Sequence, residues 1–353
     1  MTPDNSPNHL LWWGRFDPDY SRNRIIRKLL QEAGYKITDF RPRISPLGRM
    51  EFLLARVKKP DAIWIPAFRQ RDFHPACKYA EKHNIPIIFD PLISSWDKVV
   101  FERKKFLETD RRSRRILQWE QSMFSRADVV IADTASHAQF FIETLNASPE
   151  KTHVIPVGAE EPLFCKQPFD RPGPTEVLFF GSFIHLQAPE VIVEAARLVP
   201  ELRWTMLGDG PLLETCRTSS SARDNIRFEK WLPYKQLPGR IGKADILLGI
   251  FGSSPKAGRV IPNKVYQALA CGRPLVTRDS DAYPDKIKDN WGHGIYFIPP
   301  DDPEALAATV RSLVKSDMVF SLRCEHARLT YERYFSEKFI KQSLYTALAS
   351  LPG

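Results

Sequence analysis

IPNKVYQALACGRPLVT, residues Ile261 to Thr277, is the stretch on which the reading of this chain turns. A helical pattern over Lys264 to Ala270 ends at Cys271-Gly272 and passes straight into the β-branched run Leu275-Val276-Thr277. Ahead of it stand a strand-like run, Asp245 to Ile250, and a loop, Phe251 to Arg259, rich in glycine and serine and carrying Lys256 and Arg259. A strand, a basic loop of this kind and a helix start can together hold a phosphate. N–H groups point outward there, and the helix dipole favours an anion. The same letters also spell a plain α/β connection closed by a glycine C-cap.

At 353 residues the chain has room for about two domains with substantial cores. Its composition, 43% hydrophobic and 26% charged, is that of an ordinary globular protein. No apolar run approaches the roughly 18–20 residues that a bilayer span needs. The N-terminal MTPDNSPNHLLWWG lacks the basic-then-apolar layout of a secretory signal, so a cytoplasmic location is expected. Five scattered cysteines (Cys77, Cys165, Cys216, Cys271 and Cys324) fit reduced, buried thiols better than a disulfide framework or a zinc site. The net charge of +9 is spread over both halves, with 26 basic and 21 acidic side chains in residues 1–165 and 25 and 21 in the remainder. Basic clusters at Arg22-Asn23-Arg24 with Arg27-Lys28, at Arg103-Lys104-Lys105 and at Arg111 to Arg115 suit either a solvated helix face or contact with anionic lipid or substrate.

Strand-like and helical runs alternate almost throughout, which argues for parallel sheets with helices on both faces. In the first half strands are expected at Leu10–Trp13, Lys36–Phe40, Asp61–Ala67, Ile85–Asp90, Asp128–Asp133 and His153–Val157. Helices are expected at Ser21–Ala33, Pro75–Lys82, about Lys98–Ser125 and Ala135–Leu145. Residues Glu161 to Thr175 hold four prolines and no periodicity, and read as a linker. The alternation then restarts with strands at Glu176–Phe180, Trp204–Leu207, Ile226–Glu229 and Asp245–Ile250. Helices follow at Pro189–Leu198, Pro211–Thr218, Tyr234–Ile241, Pro303–Lys315, Val319–Tyr334 and Ser336–Leu351. Two such units joined by a linker place a ligand cleft at the carboxyl ends of both sheets.

Gly181-Ser182 and Gly208-Asp209-Gly210 each follow a strand, where glycine allows a sharp turn or the close passage of a ligand. Neither is the G-x-G-x-x-G fingerprint, and no G-x-x-x-x-G-K-[ST] loop occurs, which argues against a dehydrogenase or a nucleotide hydrolase. The eight histidines show no metal-ligand spacing, and Cys-x-x-Cys and Asp-x-Asp are both missing, so no metal is expected. The missing Gly-x-Ser-x-Gly elbow argues against a serine hydrolase. Asp90 closes a strand at its carboxyl end, and Pro91 keeps it extended. It reads as an acid–base candidate or as a turn cap. Gly14-Arg15 follows the first strand in the same way.

Taken in order, these segments resemble the retaining glycosyltransferase family 4, whose GT-B fold is two facing Rossmann-like doubly wound domains with an interdomain cleft. Ala127 to Asp133 looks like the family's penultimate N-domain strand, and His153 to Glu160 its "IPNGVD" segment, followed by Phe164. Phe179-Phe180-Gly181-Ser182 is similar to its "VGR" turn and Met206 to Pro211 to "VGDGP". Ala244-Asp245-Ile246 matches "ADV", and Gln267 to Val276 looks like "EAMACGxPVV". The departures concern charge. Two glutamates eight positions apart frame this motif in the family, the first on the donor sugar and the second on the ribose; here Arg259 and Gln267 stand there. A glutamine still hydrogen-bonds ribose hydroxyls, and an arginine can pair with a diphosphate. The family's phosphate-binding arginine is Ser182 here and its later lysine aligns with Gln187, while Lys256, Arg259 and Lys264 offer replacement cations. The spacing is closest to a branch with P-x-K-x-x-E/Q. The family's N-domain histidine falls near Asp90.

The resemblance implies a glycosyltransferase, hexosyl- or related, that moves a sugar from a nucleoside-diphosphate sugar to a hydroxyl acceptor in glycan or cell-surface polysaccharide synthesis. Retention and metal independence belong to the expectation, and no cofactor beyond the donor is implied. Residues 1–165 would form the acceptor-side domain, with the helix 336–353 packing back on it, and residues 166–335 the donor-side domain. Asp90 and Arg259 would be catalytic. Gly181, Ser182, Gln187, Gly208, Trp231, Leu232, Asn263, Lys264 and Gln267 would bind the donor, with Gly14 and Arg15 on the acceptor side. The acceptor would be a glycan or a lipid-linked glycan, with an anionic inner membrane face as a further partner through Arg103 to Arg115. Two other readings stay open: a degenerate relative that binds without turnover, motivated by Arg259 and Gln267, and a nucleic-acid-binding protein, motivated by charge alone. No recognition module supports the second, so no nucleic-acid partner is expected.

Overall fold

The computed structural model describes residues 9–352 except 56, 104, 169–173, 222, 289, 290, 315 and 316. The chain forms two compact units, one from Met1–Val157 with Glu337–Gly353, the other from Gly158–Ser336. Lys104 and residues 169–173 of the expected linker lie outside the described residues.

The first unit holds β1 (His9–Trp13), β2 (Lys36–Phe40), β3 (Ala62–Ile65), β4 (Ile87–Phe89), β5 (Val129–Ala132) and β6 (Thr152–Val154). They pair in the order β2-β1-β3-β4-β5-β6, all parallel. Successive side chains point to opposite faces, and both faces of the central strands are covered, so β1, β3, β4 and β5 read as continuous apolar runs while the edge strands β2 and β6 do not. On one face Leu10, Trp12, Trp64 and Ile131 pack beneath Ile25, Leu29 and Leu30 of the helix Ser21–Glu32 and beneath Ile340 and Leu344 of the last helix, Glu337–Ala349. Trp12 and Trp64, cross-strand neighbours, stack at 4.9 Å. On the other face Leu11, Trp13, Ile63 and Ile65 meet Phe52, Phe73, Phe124 and Phe141.

The second unit holds β7 (Glu176–Ser182), β8 (Arg203–Asp209), β9 (Ile226–Glu229), β10 (Ile246–Leu248), β11 (Leu275–Arg278) and β12 (Ile295–Ile298), in the parallel order β12-β11-β10-β7-β8-β9. The expected pair of doubly wound sheets is thus present. In this second sheet the strand order reverses between β7 and β10, where such sheets place their ligands beyond the carboxyl ends. Two arginines secure the unit. Arg240 bridges Glu176 and Glu229, while the buried Arg273, within the opening motif, donates to the carbonyls of Ala244, Gln167, Pro168 and Gly242.

Several elements depart from the sequence reading. The helix Gln70–His83 carries Pro75 inside it rather than at its start. The long helical pattern to Ser125 breaks into Ser95–Asp97, a π-helical turn Lys98–Glu102 and the helix Arg111–Phe124. The short helix Gly48–Leu54 and the edge strand β12 have no counterpart in the sequence reading. Cys165, within the expected linker, is exposed, unlike the four other cysteines. Among the described residues no helix is long and apolar enough to cross a membrane.

Candidate functional site

β7 runs to its end at Gly181-Ser182, and the opening motif supplies the helix Asn263–Ala270 beside it. Lys264, the second residue of that helix, is 95% buried. Its Nζ donates to Gln187 Oε1 at 2.6 Å and sits 3.8 Å from the ring centroid of Phe179. No carboxylate pairs with it among the described residues. Burial alone pushes the amine well below its ordinary value of 10.5. An incoming anion would relieve that desolvation and restore the charge.

Glycine makes this contact possible. Gly181 has φ +149°, and a Cβ there would stand 2.7 Å from Gln187 Oε1 and 2.8 Å from Lys264 Nζ. Gly208, at φ +143° on β8, lies so close that a Cβ would strike the Gly181 carbonyl. Ser182, the last residue of β7, is exposed beyond them. At the start of the helix Pro262 provides no side-chain cap, and the first helical turn, with Asn263, has no acidic residue. The loop before it is folded on itself by a bond from Arg259 N to Lys256 O at 3.0 Å. Lys256 is buried and Arg259 half-buried.

One turn along, buried Gln267 directs Nε2 towards Tyr234 Oη at 3.5 Å, and Tyr234 donates to Glu160 Oε1 at 2.8 Å. Phe164 meets the Tyr234 ring edge-on at 5.4 Å. Trp231 and Leu232 follow β9; Trp231 is 53% exposed and Leu232 half-buried. The second unit therefore brings Gly181, Gly208, Gln187 and Lys264 together and holds Gln267 in a separate chain through Tyr234. Glu160, Tyr234 and Phe179 escaped the sequence reading. Two of them carried a signal, Glu160 as the acid closing the segment that resembles "IPNGVD" and Phe179 as the first residue of the segment similar to "VGR".

In the first unit Asp90 is 1% exposed, and both its oxygens accept from Arg22 Nε at 3.0 Å. Arg22 also donates Nη1 to the carbonyls of Ile155 and Pro156. Burial works against the Arg22 guanidinium but Asp90 outweighs it, holding Arg22 above its ordinary value. Burial raises Asp90 in turn, against the pull of Arg22 and with Asp133 adding to the rise. A guanidinium stays protonated in proteins, so the pair is ionised. Asp90 holds Arg22 and is not presented to solvent. Asp133 accepts from His137 Nδ1 at 2.6 Å. Gly14, at φ +141°, abuts Arg69, and exposed Arg15 lines an open pocket with Phe16, Arg41, Pro42 and Arg43.

The profile of the "Glycosyl transferase 4-like domain" matches residues 22–158, and that of "Glycosyl transferases group 1" matches residues 174–316. Together they take in most of both units. The chain belongs to glycosyltransferase family 4. D-inositol 3-phosphate glycosyltransferases of Stackebrandtia nassauensis and Geodermatophilus obscurus are each 26% identical to it, over 227 and 223 residues. Each match covers 55% of this chain and 48% or 47% of the relative, so the chain spans about half the length of the curated relatives it matches. Among solved structures, sucrose-phosphate synthase of Thermosynechococcus elongatus superposes with TM-score 0.77 at 16% identity, covering 97% of this chain and 98% of that one. Anabaena HepE in complex with UDP gives 0.71 at 15% identity, covering 97% and 100%. These likenesses show the GT-B fold, as the resemblance implied. Within this family 4 chain, the motif that carries the resemblance is the one that carries Lys264 and Gln267.

Proposed function

We propose that this family 4 chain transfers a sugar from a nucleoside-diphosphate donor to a hydroxyl acceptor, with retention, in the building of a glycan or cell-surface polysaccharide. The observation that carries the reading is Lys264, a buried amine with no carboxylate partner among the described residues, at the point of the second sheet where strand order reverses. Lys264 and the N–H groups around Asn263 meet the charge that grows on the leaving diphosphate, a preorganised electrostatic effect. Protein groups thus supply the countercharge, and turnover should survive a metal chelator. Gln267 takes the ribose, Trp231 and Leu232 the base, and Arg259 the diphosphate from the loop side. The acceptor, a glycan or lipid-linked glycan, is received by the first unit near Gly14 and Arg15.

Anabaena HepE has been solved with UDP and with UDP-glucose, which makes uridine nucleotides the first to try. A thermal-shift screen of UDP, GDP, ADP, TDP and CMP names the base, since a ligand at 100 times its dissociation constant adds about 2.7 kcal/mol. The matching donor sugar is then followed for transfer or hydrolysis. A degenerate binding protein is the second reading, favoured by Arg259 and Gln267 standing where the resemblance places two glutamates. Turnover above background removes it; tight donor binding without any turnover removes the first reading.

A further inference from the structure

The segment between β2 and β3 exposes a concentrated apolar surface. Ile44, Leu47, Met50, Leu53 and Leu54 are all exposed, Leu54 at 82%. They recur at three- and four-residue steps through the turn Ser45–Leu47 and the helix Gly48–Leu54, which gathers them on one side. Phe52 faces the other way, against Trp13, Phe40 and Tyr79, and Gly48 lies on Pro42 and Trp13. The segment is held in place. Glu51 accepts from the backbone N–H groups of Arg43 and Ile44 at 2.7 and 3.0 Å, and Arg69 Nη2 donates to Ser45 Oγ at 3.2 Å. A contiguous apolar patch on a fixed support marks an interaction surface.

The charge around the patch identifies its partner. Arg15, Phe16, Arg41, Pro42 and Arg43 line an open pocket of about 430 Å³, and Pro42 packs directly on Gly48 at the base of the helix. Arg41 lies 4.4 Å from the Phe16 ring centroid, and Arg15 Nη1 donates to Arg43 O at 3.1 Å. Arg49, on the helix itself, is half-buried, and exposed Lys58 and Lys59 follow the helix in sequence. The nearby acids are engaged: Asp39 with Arg27 at 2.6 Å and Arg41 at 3.5 Å, Glu51 with the backbone. A second copy seated here would set these arginines against their own equivalents. A hydrocarbon layer beneath a plane of phosphates complements both the patch and its rim.

We propose that Ile44 to Leu54 and its arginine rim dock this chain on an anionic lipid bilayer. The apolar side chains enter the interface, and Arg15, Arg41 and Arg43 meet lipid phosphates. The docking surface shares Arg15 with the proposed acceptor side, but its apolar part, Ile44 to Leu54, has no role in the transferase reading. It also differs from Arg103 to Arg115, where Leu107 is the one large apolar side chain exposed among the described residues.

The test is co-sedimentation of the full chain with phosphatidylcholine vesicles, with and without about 30% phosphatidylglycerol, at low salt. Wild type binds the anionic vesicles. The double variant Leu53→Ser with Leu54→Ser loses about tenfold or more in partitioning, because two apolar side chains leave the interface. Arg43→Gln with Arg49→Gln loses about tenfold in the preference for anionic over neutral vesicles. Arg43, Leu53 and Leu54 are exposed and Arg49 is half-buried, so thermal midpoints and nucleotide binding should stay unchanged and separate lost docking from lost folding. The proposal falls if the leucine pair binds vesicles like wild type, or if Arg111→Gln with Arg112→Gln alone abolishes binding. It also falls if wild type ignores vesicles but forms a dimer that the leucine pair dissolves. None of these failures touches the transferase reading, which rests on turnover.

Discussion

Lys264 Nζ donates to Gln187 Oε1 at 2.6 Å. The resemblance aligns a family lysine with Gln187 and offers Lys264 as a replacement cation, and the two residues are in contact in space. The cation has moved to the helix while keeping its place beside the β7 turn. Burial there lowers its pKa below 10.5, and a bound diphosphate raises it again. Between those two values, binding takes up a proton, and affinity falls by up to about tenfold per pH unit as pH rises. Stability runs in the opposite sense: the unfolded lysine holds its proton where the folded one does not, so the free protein gains stability with pH across the same window. Calorimetric titration in buffers of differing ionisation enthalpy should show uptake approaching one proton per nucleotide in wild type. Lys264→Met should show none. Equal uptake by both proteins removes Lys264 from the linkage.

Gly181 makes that contact possible, which Gly181→Ala tests. A methyl at φ +149° stands within 2.8 Å of both Gln187 Oε1 and Lys264 Nζ. Gly34→Ala is the control, since Gly34 has φ +91° and nothing within 4 Å of a Cβ. Both variants carry the positive-φ penalty of about 1–2 kcal/mol. Only Gly181→Ala should also weaken nucleotide binding, by at least about tenfold. Similar affinities in the two variants would mean that the β7 turn does not shape the site.

Glu176 anchors the start of β7 through Arg240 and Thr205. Burial raises its carboxyl, but hydrogen bonds from Arg240 and Thr205 and the charges of Arg240 and Arg203 outweigh it, so the folded value lies below 4.5. The stabilisation is therefore full above about 4.5 and is lost as pH falls through the folded value. Glu176→Gln leaves Arg240 with Glu229, its more exposed partner, and should cost about 3 kcal/mol at neutral pH. Denaturant unfolding followed from pH 7 down should show the two proteins converging in acid. A gap that widens in acid contradicts the sign.

Much of the fold was legible because both sheets are parallel and covered on two faces. Residues Ile63, Trp64 and Ile65, or Leu178, Phe179 and Phe180, read as strands from their unbroken apolar character. What escaped had contrary patterning. The helix Gly48–Leu54 turns Met50, Leu53 and Leu54 outward and buries mainly Phe52, so no core-facing stripe announces it. β12 is four residues at a sheet edge, running into Pro299-Pro300. Within the site, the sequence supplied Lys264, Gln187 and Gln267 but not their connections. Contacts spanning 77 residues for Lys264–Gln187, or 74 for Tyr234–Glu160, leave no local periodicity to read. Asp90 shows the same limit. Its position at a strand end was clear, but its partner Arg22 is 68 residues away, and the buried pair they form could not be read locally.

The central claim is that Lys264 is the cation for the donor diphosphate. It is tested most directly by measuring the affinity of the nucleoside and of its diphosphate, for wild type and for Lys264→Met, with the base that responds in the screen. The nucleoside should bind both proteins alike, since base and ribose lie with Trp231 and Gln267. The advantage of the diphosphate over the nucleoside should shrink by about 10- to 100-fold in Lys264→Met, the scale of a hydrogen bond to a charged group. If Lys264→Met keeps the wild-type preference for the diphosphate, the phosphates are held elsewhere and the account is wrong.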